Sequence, residues 1–310
     1  MTLVALTGAT GFIGRHLLGA LPKRGYRVRV LLRRPTTLPP EASGAVVGDL
    51  LAPRNMTQAL RDVEAVIHSA GIAHAASGTP EDDFRALNTE ATVALARAAE
   101  RAGVKRFVFL SSVRAQAGPT APEPLTEDGE PHPTDAYGRS KLEAERGLAT
   151  LSLDWVALRP VLVYGPGVKG NMAKLLDLAR SPYPLPLSGL SARRSLLAVE
   201  NLTEAVATAL QATGPLRRPL LVADPEPITV PEMIAALREG LGRRPGLLPV
   251  PPKLVGLAFE ALGRSEAFAR LNGSLVASPA ALIGLGWRPP VAATRDGLAA
   301  LARASAPPAS

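Results

Sequence analysis

The 310-residue chain contains no cysteine and only four histidines. The lack of thiols excludes a disulfide scaffold and any thiolate chemistry. Because the four histidines are also scattered, the sequence predicts no metal centre. Aromatic residues make up 4% of the chain, and they are not interleaved with a basic arm or recognition motif. We therefore expect no nucleic-acid partner.

Long apolar runs are missing as well. No uninterrupted run approaches the roughly 20 residues of a membrane span. The first residues, Met1–Gly8, lack the basic segment that opens a secretory signal. These absences predict a cytoplasmic protein without a membrane partner. Basic residues outnumber acidic ones by 35 to 27, for a net charge of +8, which fits an anionic ligand and fits an arginine-rich surface equally well.

What the sequence does contain is an alternation of short apolar runs with helical segments. Such alternation with short links predicts an α/β fold, a Rossmann-type doubly wound parallel sheet. Beyond Arg159 proline becomes more frequent and the strands become shorter. We therefore predict a dinucleotide-binding domain at 1–158 and a smaller mixed α/β substrate lobe at 159–310, interleaved with the sheet. The runs that predict the first strands are Thr2–Thr7, Arg27–Leu32, Ala65–His68, Arg106–Leu110 and Asp154–Leu158.

A glycine-rich segment, GATGFIG, links the first predicted strand to the first predicted helix. In dinucleotide-binding folds this turn holds the pyrophosphate at the helix N-terminus. Gly8 would permit the tight turn, Gly11 would let the backbone approach the phosphate, and Gly14 would let the helix lie close to the strand. The spacing is G-x-x-G-x-x-G, and its place in the first strand–helix unit makes it a specific signal.

The end of the second predicted strand bears on the choice of cofactor. It reads Leu32-Arg33-Arg34, with no acidic residue nearby to bind the ribose 2′-hydroxyl of NAD. Arginine there can accommodate the 2′-phosphate of NADP, so we favour NADP over NAD, with two solvated arginines as the alternative. Asp49 is a candidate acceptor for the adenine amino group and, equally, a cap for the next turn.

The segment DAYGRSK places Tyr137 four residues before Lys141 at the start of a predicted helix. This spacing puts both side chains on one helix face, one turn apart. The lysine ammonium could stabilise a phenolate and make the tyrosine hydroxyl a proton-transfer group. The alternative is a packed tyrosine beside a solvated lysine.

With the glycine loop, Ser112 and the Tyr137/Lys141 pair in this order, the chain resembles the short-chain dehydrogenase/reductase superfamily. More closely, it is similar to the extended branch, the NAD(P)-dependent sugar epimerase/dehydratase family. The matching segments cover nearly the whole chain: TGATGFIG (7–14), GDL (48–50), FVFLSS (107–112), YGRSK (137–141), LRPVLVYGPG (158–167), RRSLLAVENL (193–202) and GWRP (286–289).

The resemblance implies roles for individual residues. Tyr137 would be the acid/base, and Lys141 would bind the nicotinamide ribose and lower the tyrosine pKa. A serine would bond the reacting oxygen; the alignment favours Ser112, with Ser111 as the alternative. The implied reaction is hydride transfer between a secondary alcohol carbon and the nicotinamide. The implied cofactor contacts are Gly8, Gly11, Phe12, Ile13, Gly14, Arg33, Arg34, Asp49, Leu50, Tyr137 and Lys141.

Asn171 and Arg194 match positions at which nucleotide-sugar epimerases bind the substrate diphosphate. The alternatives are a helix-capping asparagine and a surface arginine. Leu162 stands where several sugar epimerases have asparagine, and the segment after Ser112 lacks the acidic pair of a dehydratase. The resemblance therefore implies a 4-epimerase or a 4-keto reductase acting on a nucleotide sugar.

The family also implies a homodimer packed through helices near 82–102 and 137–148. Two rival functions stay open. One is an NADPH-dependent carbonyl reductase of a non-sugar ketone, and the other is a non-catalytic NADP-binding sensor or assembly protein.

Overall fold

The structure, a computed structural model, describes residues 1–72 and 80–305. The described residues form eleven strands: β1 (Leu3–Thr7), β2 (Arg27–Leu32), β3 (Ala42–Val46), β4 (Ala65–His68), β5 (Arg106–Leu110), β6 (Trp155–Pro160), β7 (Leu162–Tyr164), β8 (Arg193–Arg194), β9 (Leu196–Ala198), β10 (Arg218–Val222) and β11 (Ile228–Thr229).

Seven of these strands form one parallel sheet in the order β3-β2-β1-β4-β5-β6-β10. Strand β1 lies inside the sheet, between β2 and β4, and all five of its residues are buried, as expected for an apolar run in a sheet covered on both faces. The strand order reverses between β1 and β4, which is where open α/β sheets form their ligand crevice. The predicted α/β fold with a doubly wound parallel sheet is confirmed.

Helices connect the strands. A π-helical segment, Arg85–Glu90, joins the third helix to the fourth. The α-helices of the described residues are α1 (Phe12–Ala20), α2 (Met56–Ala59), α3 (Glu81–Phe84), α4 (Ala91–Arg101), α5 (Ala136–Ala149), α6 (Asn171–Arg180), α7 (Val199–Gln211), α8 (Val230–Gly240), α9 (Pro252–Ala261), α10 (Ser265–Asn272), α11 (Ala280–Gly284) and α12 (Thr294–Ala304).

The two faces of the sheet carry separate hydrophobic clusters. Leu17 of α1 and Val206 of α7 are fully buried on one face. Leu95 of α4 and Leu148 of α5 are buried on the other. Each such side chain contributes about 1.5–3 kcal/mol when it leaves water. Packing on both faces therefore holds the strand ends, and with them the residues of the site, in fixed positions.

The second half of the chain contributes to the sheet as well as to a smaller unit. Strand β10 is an edge strand of the main sheet, and α7 covers one of its faces. A third cluster joins α6, α8 and α12 through Leu176, Ile234 and Leu298. The boundary at 158 falls inside β6, and the division into 1–158 and 159–310 stays a prediction.

Within residues 1–72 and 80–305, no helix is both long enough and apolar enough to cross a bilayer. The same part of the chain has no group of three or more histidine, aspartate or glutamate side chains placed to hold a metal ion.

Candidate active site

The glycine loop turns sharply between β1 and α1. Gly8 has a φ of +71°, and a Cβ there would lie 2.6 Å from the backbone nitrogen of Ala70. A Cβ at Gly14 would overlap the carbonyl oxygen of Gly8. Helix α1 begins at Phe12 with Gly11 as its N-cap, and no side chain bonds its first amides. These amides suit a phosphate group, so the loop fits the pyrophosphate of a dinucleotide.

A pocket of about 520 Å³ opens beside this loop. Arg33 and Arg34 are exposed at its wall, and neither forms an ion pair with the described residues. One oxygen of Asp49 accepts a hydrogen bond from the backbone of Leu51 at 3.0 Å, so Asp49 caps its turn and also lines the pocket. The structure thus brings five of the predicted cofactor residues together: Gly8, Arg33, Arg34, Asp49 and Leu50.

Phe12 and Ile13 lie in the first turn of α1 and are half-buried. Ile13 packs against the core. The Phe12 ring meets the ring of His16 edge-on, with centroids 5.3 Å apart. His16 in turn donates a hydrogen bond to the carbonyl oxygen of Pro166 at 3.0 Å. The YGPG segment after β7 therefore lies against the glycine loop, a contact that the sequence did not predict.

Tyr137 and Lys141 lie in the first two turns of α5. Asp135 caps this helix by accepting a hydrogen bond from the backbone of Gly138 at 2.7 Å. The ammonium of Lys141 lies 5.9 Å from the centroid of the Tyr137 ring. It donates to the carbonyl oxygen of Leu110 at 2.9 Å. The two side chains therefore converge at the carboxyl end of β5, beside the crevice.

The two candidate serines differ in their partners. Ser112 faces Tyr137 and acts to lower the pKa of its phenol, and it accepts a hydrogen bond from the backbone of Arg114 at 3.1 Å. Ser111 instead donates to the carboxylate of Glu145 at 2.5 Å. The structure thus brings Ser112 together with Tyr137 and turns Ser111 away from it.

The electrostatics of the site follow mainly from burial. Burial raises the pKa of Tyr137, and the neighbouring hydroxyl of Ser112 acts in the opposite direction. Burial lowers the pKa of Lys141 to about 8. Burial, assisted by the charge of Lys141, also lowers the pKa of His68 to about 3, so this imidazole is neutral. The protein's own groups therefore hold Tyr137 as a protonated phenol, and the lowering of its pKa by Lys141 stays a prediction.

Asn171 and Arg194 lie outside the pocket beside the glycine loop. Asn171 is the exposed first residue of α6, and the cap position belongs to Gly170, without a side-chain cap. Asn171 is therefore not a helix cap, and that interpretation is wrong. Arg194 is half-buried on β8 and donates to the carbonyl oxygens of Pro119 (3.3 Å) and Arg270.

Two ion pairs beside the site were missed by the sequence analysis. Arg114 pairs with Asp135 at 2.5 Å, next to Tyr137. An aspartate just before a predicted helix is a capping signal, so this partner could have been found. Arg159 pairs with Glu145 at 2.5 Å beneath α5. Nothing local in the sequence marks that second pair.

A Rossmann-type sheet with a glycine loop and a Tyr–Lys pair on the helix after β5 defines the extended short-chain dehydrogenase/reductase superfamily. The model of the NAD dependent epimerase/dehydratase family matches residues 4–221 of the chain. The protein belongs to this family and is an NAD(P)-dependent enzyme of the short-chain dehydrogenase type, as the resemblance implied.

Relatives and solved structures agree with this assignment. The chain is 34% identical over 300 residues to a UDP-glucose 4-epimerase of Vibrio cholerae, covering 93% of this chain and 90% of that one. It is similar to the structure of MoeE5 in complex with UDP-glucose and NAD, with a TM-score of 0.72, 27% identity and coverage of 96% and 97%. Human SDR39U1 (isoform 2) with NADPH shares the fold, with a TM-score of 0.74, 21% identity and coverage of 97% and 99%.

Proposed function

We propose that the protein converts a nucleotide-activated sugar at one hydroxyl-bearing carbon, as a 4-epimerase or a 4-keto reductase. The observation that carries this proposal is the convergence of Ser112, Tyr137 and Lys141 at the carboxyl end of β5, next to the glycine loop. A bound nicotinamide cofactor would supply the hydride acceptor or donor.

The protein's own groups would handle the proton. The phenol of Tyr137, kept protonated by burial, would give its proton to a sugar carbonyl oxygen or, in the reverse direction, receive one from the hydroxyl. Ser112 would orient the same oxygen by hydrogen bonding. Lys141 would stabilise the phenolate that remains after proton transfer and bind the ribose of the cofactor. The hydrogen bond of its ammonium to the Leu110 carbonyl supports both proposed roles, because it holds the charge in one place.

Arg194 is the proposed ligand of the substrate diphosphate, and Asn171 is a second candidate. The acceptors of Arg194 within the described residues are backbone carbonyls, so no carboxylate there neutralises its charge. A guanidinium can pair bidentately with phosphate oxygens. The Vibrio cholerae relative is a UDP-glucose 4-epimerase, and the MoeE5 structure is a complex with UDP-glucose, which supports a UDP-sugar as the substrate class.

For the cofactor we propose NADP in preference to NAD, since Arg33 and Arg34 line the pocket at the end of β2. The glycine loop, with Phe12 and Ile13, would hold the pyrophosphate, and Asp49 and Leu50 would contact the adenine. We also propose a cytoplasmic homodimer, which light scattering and fractionation would test.

The experiment is a fluorescence titration of cofactor-free protein with NADPH and NADH, each repeated with UDP. We expect tighter NADPH binding that UDP strengthens, and such a result would direct the substrate screen to 4-keto sugars. Retention of NAD through purification would instead favour the epimerase. The absence of any response to UDP would contradict a nucleotide-sugar substrate and favour the carbonyl reductase.

A further inference from the structure

A buried ion pair lies beneath the helix that carries Tyr137 and Lys141. Arg159 on β6 contacts Glu145 on α5, with Nη2 2.5 Å from Oε2 and Nε 3.1 Å from Oε1. Arg159 is 2% exposed and Glu145 is 4% exposed. Two neutral groups complete the network: Ser111 donates to Glu145, and Gln116 accepts from Arg159 at 2.8 Å.

Stability alone is a weak reason for such a pair. Removing two charges from water generally costs about as much as their attraction returns, and apolar residues of similar volume often serve the fold equally well. The network is fully hydrogen-bonded, so Glu145 and Arg159 are held at fixed positions. A fixed buried carboxylate exerts a strong field on other buried charges nearby.

One such charge is on Lys141, one helical turn before Glu145 on the same face of α5. Lys141 is 4% exposed, and its hydrogen-bond acceptor is a backbone carbonyl. Burial lowers the pKa of Lys141 to about 8, and the charge of Glu145 opposes that shift.

The other titratable side chains around Lys141 are Tyr137 on the same helix and His68 on β4. Both are neutral at pH 7, because burial raises the pKa of Tyr137 and lowers that of His68. Asp135 and Arg114 form their own ion pair and face Tyr137. Within the described residues, Glu145 is thus the carboxylate that acts on Lys141.

We propose that Glu145 is a positioning residue that serves as the counter-ion of Lys141 and keeps it in the ammonium form, while Arg159 fixes Glu145 in place. This inference rests on the proposed function, in which Lys141 must stay charged to hold the cofactor ribose and a phenolate. Glu145 and Arg159 would thus control the charge of Lys141 without taking part in the reaction themselves.

The two halves of the pair give opposite predictions. Glu145→Gln leaves the cation of Arg159 unbalanced, so Lys141 should lose its proton at a pH lower by about one unit. Arg159→Met leaves the anion of Glu145 unbalanced, so Lys141 should titrate at a pH higher by a similar amount. A purely structural pair would give two destabilised variants without opposite shifts. Glu143→Gln is the matched control, because Glu143 is exposed on the same helix.

The measurement is an NMR pH titration of full-length protein carrying ¹³C-labelled lysine. The chain has six lysines, and Lys141→Arg identifies the signal. Opposite shifts for Glu145→Gln and Arg159→Met, with none for Glu143→Gln, are expected. Shifts in one direction, or shifts no larger than that of the control, would overturn the inference.

If either variant fails to fold, conservative replacements answer the same question. Arg159→Lys keeps the positive charge and should leave the titration of Lys141 unchanged. Glu145→Asp withdraws the carboxylate by one methylene and should lower the pH at which Lys141 titrates, by less than Glu145→Gln does. If Lys141 titrated at the same pH in Arg159→Lys and Glu145→Asp, that result would count against the inference. The readout needs no substrate, so opposite shifts without turnover of any sugar would uphold the counter-ion and contradict the proposed reaction.

Discussion

Two cationic regions at the carboxyl edge of the sheet carry their charge in different ways. Arg33 and Arg34 are exposed at the end of β2 and line an open pocket. Lys141 is buried beneath Tyr137, with a carbonyl as its acceptor and a carboxylate one turn away. Exposed charges attract a ligand over a distance and are screened by salt, whereas a buried ammonium responds to pH and to its neighbours. We therefore expect Arg33 and Arg34 to determine which cofactor binds, and Tyr137 with Lys141 to carry out the proton transfer.

The strongest test of the buried region is Tyr137→Phe, which removes the proton donor and keeps the ring. We expect kcat to fall by roughly 10²–10⁴-fold, the usual contribution of a positioned acid or base, while cofactor binding changes little. Tyr183→Phe is the control, since Tyr183 is 72% exposed. Equal activity of the two variants would show that the phenol of Tyr137 moves no proton.

A comparison of Ser111 with Ser112 tests which serine binds the reacting oxygen. Ser112→Ala removes the hydroxyl that faces Tyr137 and should reduce kcat by roughly 10²-fold, as the loss of one positioned donor does. Ser111→Ala should affect activity less and stability more, by about 1.5–3 kcal/mol, because its hydroxyl bonds the buried carboxylate of Glu145. Kinetics and thermal unfolding measured on both variants would decide between them, and the reverse ranking would assign the role to Ser111.

The pH dependence of cofactor binding should report the buried region alone. The lowered pKa of Lys141, about 8, means that the ammonium is present below pH 8 and is lost as the pH rises through 8. We expect cofactor affinity to decline over that interval, because the loss of the ammonium removes the proposed contact of Lys141 with the cofactor ribose. Binding titrations from pH 6.5 to 9.5 would show this decline in the wild type and not in Lys141→Met.

The smallest effect is expected in the exposed region. Arg33→Ala or Arg34→Ala should weaken NADPH binding on the order of tenfold, the loss of one hydrogen bond to a charged group, and should leave NADH binding unchanged. The loss should shrink as salt is raised. Arg61→Ala offers an exposed control. Equal losses for NADPH and NADH would remove the basis for an NADP preference.

The same contrast separates what the sequence can predict from what it cannot. The strand Leu3–Thr7 and the glycine loop follow from contiguous residues with local causes, namely an apolar run and glycines at a turn. Strand β3 is mostly exposed at the sheet edge, so its sequence ASGAV carries little apolar signal. Asn171 resembled a cap, but Gly170, with a φ of +69°, takes the cap position.

The charges around the site were even harder to predict from the sequence. Glu145 and Arg159 meet only because α5 packs against the sheet, and their partner Ser111 comes from a third element. The raised pKa of Tyr137 likewise depends on burial by residues distant in sequence. The i, i+4 spacing predicts that Tyr137 and Lys141 share one helix face. Only the packed structure shows that burial affects their pKa values more than the neighbouring charges do.

The role of Tyr137 in the proposed reaction is tested most directly by loading the protein with oxidised cofactor, adding UDP-glucose and following the fluorescence of reduced nicotinamide. We expect reduced cofactor to appear in the wild-type protein and not in Tyr137→Phe. Reduction that proceeds equally in both proteins, or no response to any UDP-sugar from protein with cofactor bound, would contradict it.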